Sequence, residues 1–375
     1  MSTAGLYIHV PFCSGKCGYC DFVSYPGRGG SVGRYLSALE AEARMRPGLR
    51  PTTLYVGGGT PTELSAHELG RLLDLVRRRY PGASFEEATV EANPESLTHE
   101  KAAALRRGGV TRLSLGLQTT DDRLLGRIGR RHRFADFLRA FQLARSAGFA
   151  LSVDLMFGLP GQSLAGFRRS LAAVLDLRPE HVSAYGLDVH EDTPFGRLGV
   201  SHDEDLGREM FELGIELLTG AGYHHYEISN FALPGRECRH NRIYWENGDY
   251  LGLGPAAASH LGGERSTNIP DLDDYCEAAL HGKRPVGQRE TLSGKEKLGE
   301  TLMLGLRLIN GTALGPEARA DFGPELDSLR RRRLIVVEDG RMRLSREGLF
   351  LANVVAREFV APFAEAAASG PAAAA

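Results

Sequence analysis

Three cysteines fall within eight residues near the start of the chain, in the run His9-Val10-Pro11-Phe12-Cys13-Ser14-Gly15-Lys16-Cys17-Gly18-Tyr19-Cys20-Asp21-Phe22. A four-iron, four-sulfur cluster has four irons to ligate, and three closely spaced thiolates hold three of them. A fully ligated cluster mainly carries electrons, whereas an open iron can grip a substrate. The spacing of Cys13, Cys17 and Cys20 therefore points to chemistry at a substrate-accessible 4Fe-4S cluster.

Zinc and disulfides fit these cysteines less well. A structural zinc site takes four ligands, commonly as two close pairs. Here there is one triplet, and Cys238 and Cys276 lie over 200 residues downstream. His9 could complete a Cys3His set, but it belongs to the alternating strand pattern Leu6-Tyr7-Ile8-His9-Val10 that stops at Pro11. An odd cysteine count, five, in a long chain argues against a disulfide framework.

The elements that must hold such a site are readable as alternation. Strands are expected at Leu6–Val10, Thr53–Val56, Ala88–Glu91, Arg112–Leu117, Leu151–Met156 and His181–Leu187. Amphipathic helices are expected between them, at Gly33–Arg44, Glu68–Arg79, His99–Arg107, Phe134–Ala147 and Leu164–Leu177. Such alternation implies parallel pairing through right-handed crossovers. Six units predict an α/β fold, either an incomplete barrel or an open wound sheet, with ligands at the carboxyl ends of the strands.

The informative residues collect at those ends. The cysteine loop follows the first strand, and Gly57-Gly58-Gly59-Thr60-Pro61 follows the second. Glu91-Ala92-Asn93-Pro94 closes the third, Gln118 ends the fourth, and Asp154 lies in the fifth ahead of Gly158-Leu159-Pro160-Gly161-Gln162. Consecutive glycines let backbone approach a ligand without Cβ hindrance. Glu91 and Asp154 could accept hydrogen bonds from ribose hydroxyls. Arg130 could meet a carboxylate, or be one of a solvated basic cluster at a helix end.

The whole chain sets bounds. With 375 residues it can build one large domain and a smaller one. It is 42% apolar and 25% charged, as globular proteins are. Its net charge of −2 gives no broad attraction to nucleic acid or to a membrane surface. No apolar run reaches the ~18 residues of a bilayer span, and Met1-Ser2-Thr3-Ala4-Gly5 has neither a basic nor an apolar signal segment. The expectation is a cytoplasmic protein, in a reducing compartment that leaves thiolates free for iron. Residues 363–375, rich in Ala, Gly and Pro, are expected to form a disordered tail.

Cys-x3-Cys-x2-Cys after the first strand, with Gly-Gly-Gly-Thr-Pro after the second, resembles the radical S-adenosylmethionine superfamily. Five further runs resemble the oxygen-independent coproporphyrinogen III oxidase family. They are Leu6 to Cys13, Glu91-Ala92-Asn93-Pro94, Arg112 to Gln118, Gly158 to Gln162, and Tyr226-Glu227-Ile228-Ser229-Asn230. The likeness spans about Leu6 to Val360 and implies an incomplete (β/α)6 radical-SAM barrel followed by a smaller C-terminal α+β domain. It also implies that Cys13, Cys17 and Cys20 ligate the cluster. Tyr7, Tyr19, Gly58, Gly59, Thr60, Glu91, Gln118, Arg130 and Asp154 fall on the family's S-adenosylmethionine contacts. Two features choose the branch. The oxidase has a fourth cysteine where this chain has Phe22. His240-Asn241-Arg242-Ile243-Tyr244-Trp245 matches the His-Asn-x-x-Tyr-Trp signature of the heme chaperone branch.

That branch binds heme and delivers it to acceptor proteins, membrane-associated respiratory proteins among them, and is described as lacking oxidase activity. Radical decarboxylation of coproporphyrinogen III is the competing function, and a radical enzyme on some other substrate is a third. Heme iron takes His, Cys, Met or Tyr ligands. Cys238 to Trp245 offers three of these types, aromatic faces, and Arg239 and Arg242 for propionates. The same run also reads as a packed turn, with His240 bonded locally and Trp245 in the core. The expected division is 1–230 for the radical core, 231–290 for a connector carrying His240, Asn241, Tyr244 and Trp245, and 291–362 for the C-terminal domain. In that domain a helix at Glu296–Leu308, one near Pro324–Arg333, strands Leu334–Val337 and Arg341–Leu344 around Asp339-Gly340, and a last helix to about Phe359 read as winged-helix-like. The overall charge favours a capping domain over a nucleic-acid reader. A homodimer is compatible with the sequence, although no apolar stripe demands one.

Overall fold

Six parallel strands lie side by side in chain order: β1 (Ala4–Val10), β2 (Pro51–Gly58), β3 (Glu87–Ala92), β4 (Arg112–Gln118), β5 (Ala150–Phe157) and β6 (His181–Gly186). They come from a computed structural model that describes residues 4–201 and 203–368. Crossover helices α1 (Val32–Arg44), α2 (Ala66–Arg79), α3 (His99–Arg107), α4 (Phe134–Ser146) and α5 (Leu164–Leu177) cover the sheet. This is the expected α/β architecture. Each helix start has a local cause where a cap exists. The Ser65 hydroxyl accepts from Glu68 N and the Glu68 carboxylate from Ser65 N, while Thr98 and Ser163 cap α3 and α5. The outward strand residues and inward helix residues merge into one core, with Leu6, Ile8, Val90, Leu113, Leu115, Val153 and Val182 against Tyr35, Leu39, Val76, Leu105, Phe137 and Phe167. Among the described residues no helix is long and apolar enough to cross a membrane.

The sheet is wider than six strands. Beyond β6 and α6 (Glu204–Gly220), strands β7 (His224–Glu227) and β8 (Asn230–Ala232) add antiparallel, β8 on β6 and β7 on β8. After α7 (Arg239–Trp245), β9 (Asp249–Leu253) pairs parallel with β1, Leu6 opposite Leu251. Antiparallel β10 (Ala258–Leu261), β11 (Glu264–Asn268) and β12 (Val286–Thr291) then complete a twelve-stranded sheet, with α8 (Leu272–Leu280) packed on α1. The stretch expected as a connector, 231–290, thus continues the barrel sheet from its β1 edge. Buried Glu42 ties the two together, accepting from Gly254 N at 2.9 Å and Tyr275 Oη at 2.7 Å.

The C-terminal part has its own core of Phe322, Leu329, Met342, Val355 and Phe359. It comprises α9 (Gly294–Gly305), α10 (Gly323–Arg331), β13 (Thr312–Ala313), the hairpin β14 (Ile335–Glu338) and β15 (Arg341–Leu344), and α11 (Ala352–Ala368). Asp339 and Gly340 both have positive φ, 49° and 73°, as a tight hairpin turn requires. The first helix stops at Gly305, three residues before the expected Leu308. Residues 363–368 of the expected tail continue α11, and 369–375 lie outside the described residues.

Candidate functional site

Every second residue of the parallel strands points into the barrel. Those positions are mostly polar: Thr89 and Glu91 on β3, Arg112, Ser114 and Gly116 on β4, Ser152 and Asp154 on β5, His181, Ser183 and Tyr185 on β6. They line a cavity of about 370 Å³ whose mouth is formed by the cysteine loop. Of the residues singled out from sequence, Cys13, Cys17, Cys20, Tyr19, Gly58, Gly59, Thr60, Glu91, Gln118, Arg130 and Asp154 all line it, and Asn241 contributes to its wall. Tyr7, His240, Tyr244 and Trp245 do not. Tyr55, Ser183 and Tyr185 belong to the cavity although no motif pointed to them, and Asn93 and Ser114 join it from the runs Glu91–Pro94 and Arg112–Gln118.

The cysteine loop is held against the glycine loop. Gly59 N donates to Val10 O at 2.8 Å and Thr60 N to Phe12 O at 2.7 Å. Cys13 Sγ and Thr60 Oγ1 are 3.3 Å apart, and Asn93 Nδ2 donates to Thr60 Oγ1 at 3.0 Å. Burial raises the pKa of the Cys13 and Cys20 thiols, opposed by Thr60 at the first and by Lys16 at the second. All three thiols are free and partly buried. Among the described residues no three His, Cys, Asp or Glu side chains are grouped to hold one metal ion. A cluster makes no such demand, because each thiolate takes its own iron. The three thiols lining the cavity are a donor set that would hold a cluster and leave one iron without a protein ligand.

Gly58 has φ +103°, and a Cβ there would lie 2.4 Å from His9 Nδ1. A Cβ on Gly57 would meet Glu91 Oε2 at 2.7 Å. The glycines thus bring backbone against this protein's own side chains, and Gly58 N donates to Glu91 Oε2 at 3.1 Å. Tyr55 Oη donates to the other oxygen at 2.8 Å. Burial pushes the Glu91 carboxyl up to about 7, outweighing Tyr55 and Gly58, with Asp154 adding to the rise. Asp154 accepts from Ser114 Oγ at 3.1 Å and is pushed by burial up to about 6. Two carboxyls facing one cavity from deep within the barrel are therefore poised to ionise on meeting a cation or hydroxyl donors.

Opposite them, Gln118 adopts φ 69° at a register shift between β4 and β5, a bulge that turns the strand end. Arg130 follows a short helix ended by Gly129 at φ 81°. Its Nη2 donates to Asn93 Oδ1 and Gly116 O, both at 2.7 Å, and Nη1 lies 3.9 Å from Cys17 Sγ. Burial works against its charge, but Tyr19, Cys17 and Glu95 more than offset that and raise its pKa. Among the described residues, buried Thr89 Oγ1, Arg112 Nε and Arg130 Nε have no hydrogen-bond partner, which polar groups inside a protein rarely tolerate without a ligand or water.

The His240 run lies at the other end of the barrel. His240 sits beside Gly5 and Thr53, at the starts of β1 and β2, whereas the cysteines follow the end of β1. Its ring is fully buried and stacks on Tyr55 at 5.4 Å. Nδ1 pairs with Thr53 Oγ1 at 2.8 Å and Nε2 with Tyr244 Oη at 2.7 Å, so neither ring nitrogen is free. Burial lowers its pKa to about 3. Trp245 carries the Arg307 guanidinium over its ring at 4.3 Å. Arg239 and Arg242 pair with Glu86 and Glu246. In this arrangement the run is the short helix α7, packed on the starts of β1 and β2 with both imidazole nitrogens hydrogen-bonded.

Residues 7–174 match the sequence profile of the Radical SAM superfamily, and residues 292–351 that of the HemN C-terminal domain. The chain is 37% identical to a protein of Bacillus subtilis named heme chaperone HemW, across 94% of this chain and 98% of the relative. The chain belongs to the HemW family of radical S-adenosylmethionine proteins. HemW of Escherichia coli is 41% identical over 259 residues, covering 67% of this chain and 68% of that one. The fold matches the solved coproporphyrinogen III oxidase HemN of Escherichia coli with a TM-score of 0.83, over 96% of this chain and 91% of that one, at 22% identity. A radical SAM family implies S-adenosylmethionine and a 4Fe-4S cluster, and the cavity of this chain has thiols and polar groups suited to both.

Proposed function

We propose that this protein is a cytoplasmic heme chaperone built on a radical SAM core. Cys13, Cys17 and Cys20 hold the cluster. Glu91 and Asp154 receive the nucleoside's hydroxyls, Arg130 its carboxylate, and Gly58, Gly59, Thr60, Gln118 and Tyr19 shape its walls. When bound and reduced, the cluster supplies the electron that can cleave the sulfonium of S-adenosylmethionine. The protein's own residues do the rest. The bulge at Gln118 and the backbone ties at Gly59 and Thr60 keep the loops rigid, and the polar lumen orients the ligand.

The observation that carries the chaperone reading is the near full-length similarity to proteins named heme chaperones, joined to the side chain at position 22. Phe22 stands at the cavity mouth, 61% exposed, and has no sulfur to offer where the oxidase has its further cysteine. Heme binding with onward transfer to acceptor proteins follows as the proposed activity. The 1–230, 231–290 and 291–362 division is retained as a functional one, although the middle part shares the barrel's sheet.

The test is anaerobic reconstitution with iron, sulfide and S-adenosylmethionine, then two assays. Added hemin is expected to develop a protein-bound Soret band that moves to an apo acceptor on mixing. Added coproporphyrinogen III is expected to remain unconverted. Turnover to the divinyl product without heme uptake would replace the chaperone reading with the oxidase.

A further inference from the structure

A continuous hydrogen-bond path crosses the cavity mouth between Cys13 and Cys17. Cys13 Sγ and Thr60 Oγ1 are 3.3 Å apart, and Asn93 Nδ2 donates to Thr60 Oγ1 at 3.0 Å. Arg130 Nη2 donates to Asn93 Oδ1 at 2.7 Å, and Arg130 Nη1 faces Cys17 Sγ at 3.9 Å. The direction of each bond follows from the groups. A guanidinium has donors only, so the Asn93 carbonyl oxygen faces Arg130 and its amide nitrogen faces Thr60. A thiolate that ligates iron has no hydrogen to give, so a ligating Cys13 takes the hydroxyl hydrogen of Thr60. Every bond then runs the same way, from Arg130 toward a sulfur.

The path is held from outside. Asn93 O accepts from Ser96 N and Ser96 Oγ, both at 3.0 Å, and Ser96 Oγ lies 2.6 Å from Thr62 Oγ1. Arg130 Nη2 also donates to Gly116 O at 2.7 Å, and a Cβ on Gly116 would come within 2.8 Å of that nitrogen. Thr60 is buried. Hydrogen bonds that run one way polarise and strengthen one another. Donors aimed at ligand sulfurs favour the more negative, reduced form of an iron–sulfur cluster and so raise its potential.

We infer that Asn93 is a positioning residue that sets the reduction potential of the cluster, by aiming the Thr60 hydroxyl at Cys13 while Arg130 serves Cys17. One cation thereby acts on two thiols, directly at Cys17 and through two neutral groups at Cys13. This rests on the reading of Cys13, Cys17 and Cys20 as cluster ligands and goes beyond it, because Asn93 acts only through its neighbours.

The assignment is tested on the full chain, reconstituted anaerobically with iron and sulfide, by redox titration followed by electron paramagnetic resonance of the reduced cluster. Asn93→Asp keeps the side-chain shape but presents Thr60 with an acceptor, which draws the hydroxyl hydrogen away from Cys13. Thr60→Val removes the hydroxyl at nearly equal volume. Each is expected to make reduction about tenfold less favourable, about 59 mV for one electron, with iron content and visible absorbance retained. Asn93→Leu removes the amide without adding charge and is expected to give a smaller shift of the same sign. The double variant Asn93→Asp, Thr60→Val separates the path from the added charge: along one path the second change adds little to the first, whereas independent effects sum. Wild-type potentials in Thr60→Val or Asn93→Leu, or shifts that sum in the double variant, would overturn the role of Asn93 and leave the ligand assignment intact. A wild-type protein that assembles no cluster would overturn both.

Discussion

Glu91 titrates close to neutrality because burial opposes its charge more than Tyr55 and Gly58 favour it. A carboxyl raised to about 7 stabilises the empty fold fully below its ordinary value near pH 4.5, and that stability is lost as pH rises through about 7. Asp154 behaves alike up to about 6. A ligand that donates hydroxyls and carries a sulfonium favours the ionised forms, so its binding releases protons. The dissociation constant for S-adenosylmethionine is expected to fall about tenfold between about pH 6 and 8, measured by anaerobic equilibrium dialysis. Glu91→Gln is expected to bind weakly and to flatten the profile. An equally steep profile in that variant would remove Glu91 from the site. Cys17 offers a cleaner substitution, since its thiol has only long contacts, 3.8 Å to Gly129 O and 3.9 Å to Arg130. Cys17→Ser is expected to lose the broad absorbance at about 400 nm and most bound iron while the far-ultraviolet circular dichroism stays. Full iron content in that variant would show that the ligand set lies elsewhere.

The strand ends do their work through backbone geometry, and neighbouring glycines separate its two parts. Alanine at Gly58 must adopt φ +103° and drive a methyl into His9, which is expected to cost about 2–3 kcal/mol in urea unfolding. Gly57 carries no such dihedral, and alanine there displaces the Glu91 carboxylate alone. Gly57→Ala is expected to weaken nucleoside binding with little change in unfolding midpoint. Equal losses of stability in both would deny the distinction. The elements themselves were legible to differing degrees. The six parallel strands show as apolar runs because their outward faces are covered by helices, and His99–Arg107, Leu164–Leu177 and Arg341–Leu344 fall where the pattern puts them. β11 and β12, reading ERSTN and VGQRET, carry almost no apolar signal, and β9 is placed by pairing with β1 across more than 200 residues. The cysteines and the two carboxylates stood out because their types are costly to leave inside a barrel. Tyr55, Ser114 and Ser183 did not, since single polar residues in a strand look like solvent-facing positions. Their shared parity across β2 to β6 was the available signal. The composition of the His240 run suits heme, while in this structure the His240 ring is bonded to Thr53 and Tyr244.

The barrel floor, the β1-edge strands and the C-terminal domain meet around one tryptophan, and this seam decides whether the molecule unfolds as a unit. Arg307, just beyond α9, stacks over Trp245 and reaches Glu227 Oε2 at 3.4 Å. Glu227 is fully buried, and burial raises its pKa while Arg307 pulls it down. Ile228 N also donates to Arg307 O at 3.0 Å, and Asn247 Nδ2 reaches Glu300 Oε2 and Thr301 Oγ1 on α9. Removing the guanidinium leaves a carboxyl inside the protein without its counter-charge. Because Arg307 is itself about one-third exposed, the cost is well below that of a fully buried pair, about 2 kcal/mol. Arg307→Ala is therefore expected to loosen the C-terminal domain first. Its own core of Phe322, Met342 and Phe359 can persist apart from the barrel. Trp245 is the single tryptophan, so its emission reports on the seam directly. In the variant it is expected to change at a lower temperature than the circular dichroism of the barrel. In the parent protein the two are expected to change together. Coincident transitions in both proteins would mean that the seam is held by the sheet and backbone contacts alone, with Arg307 contributing no coupling.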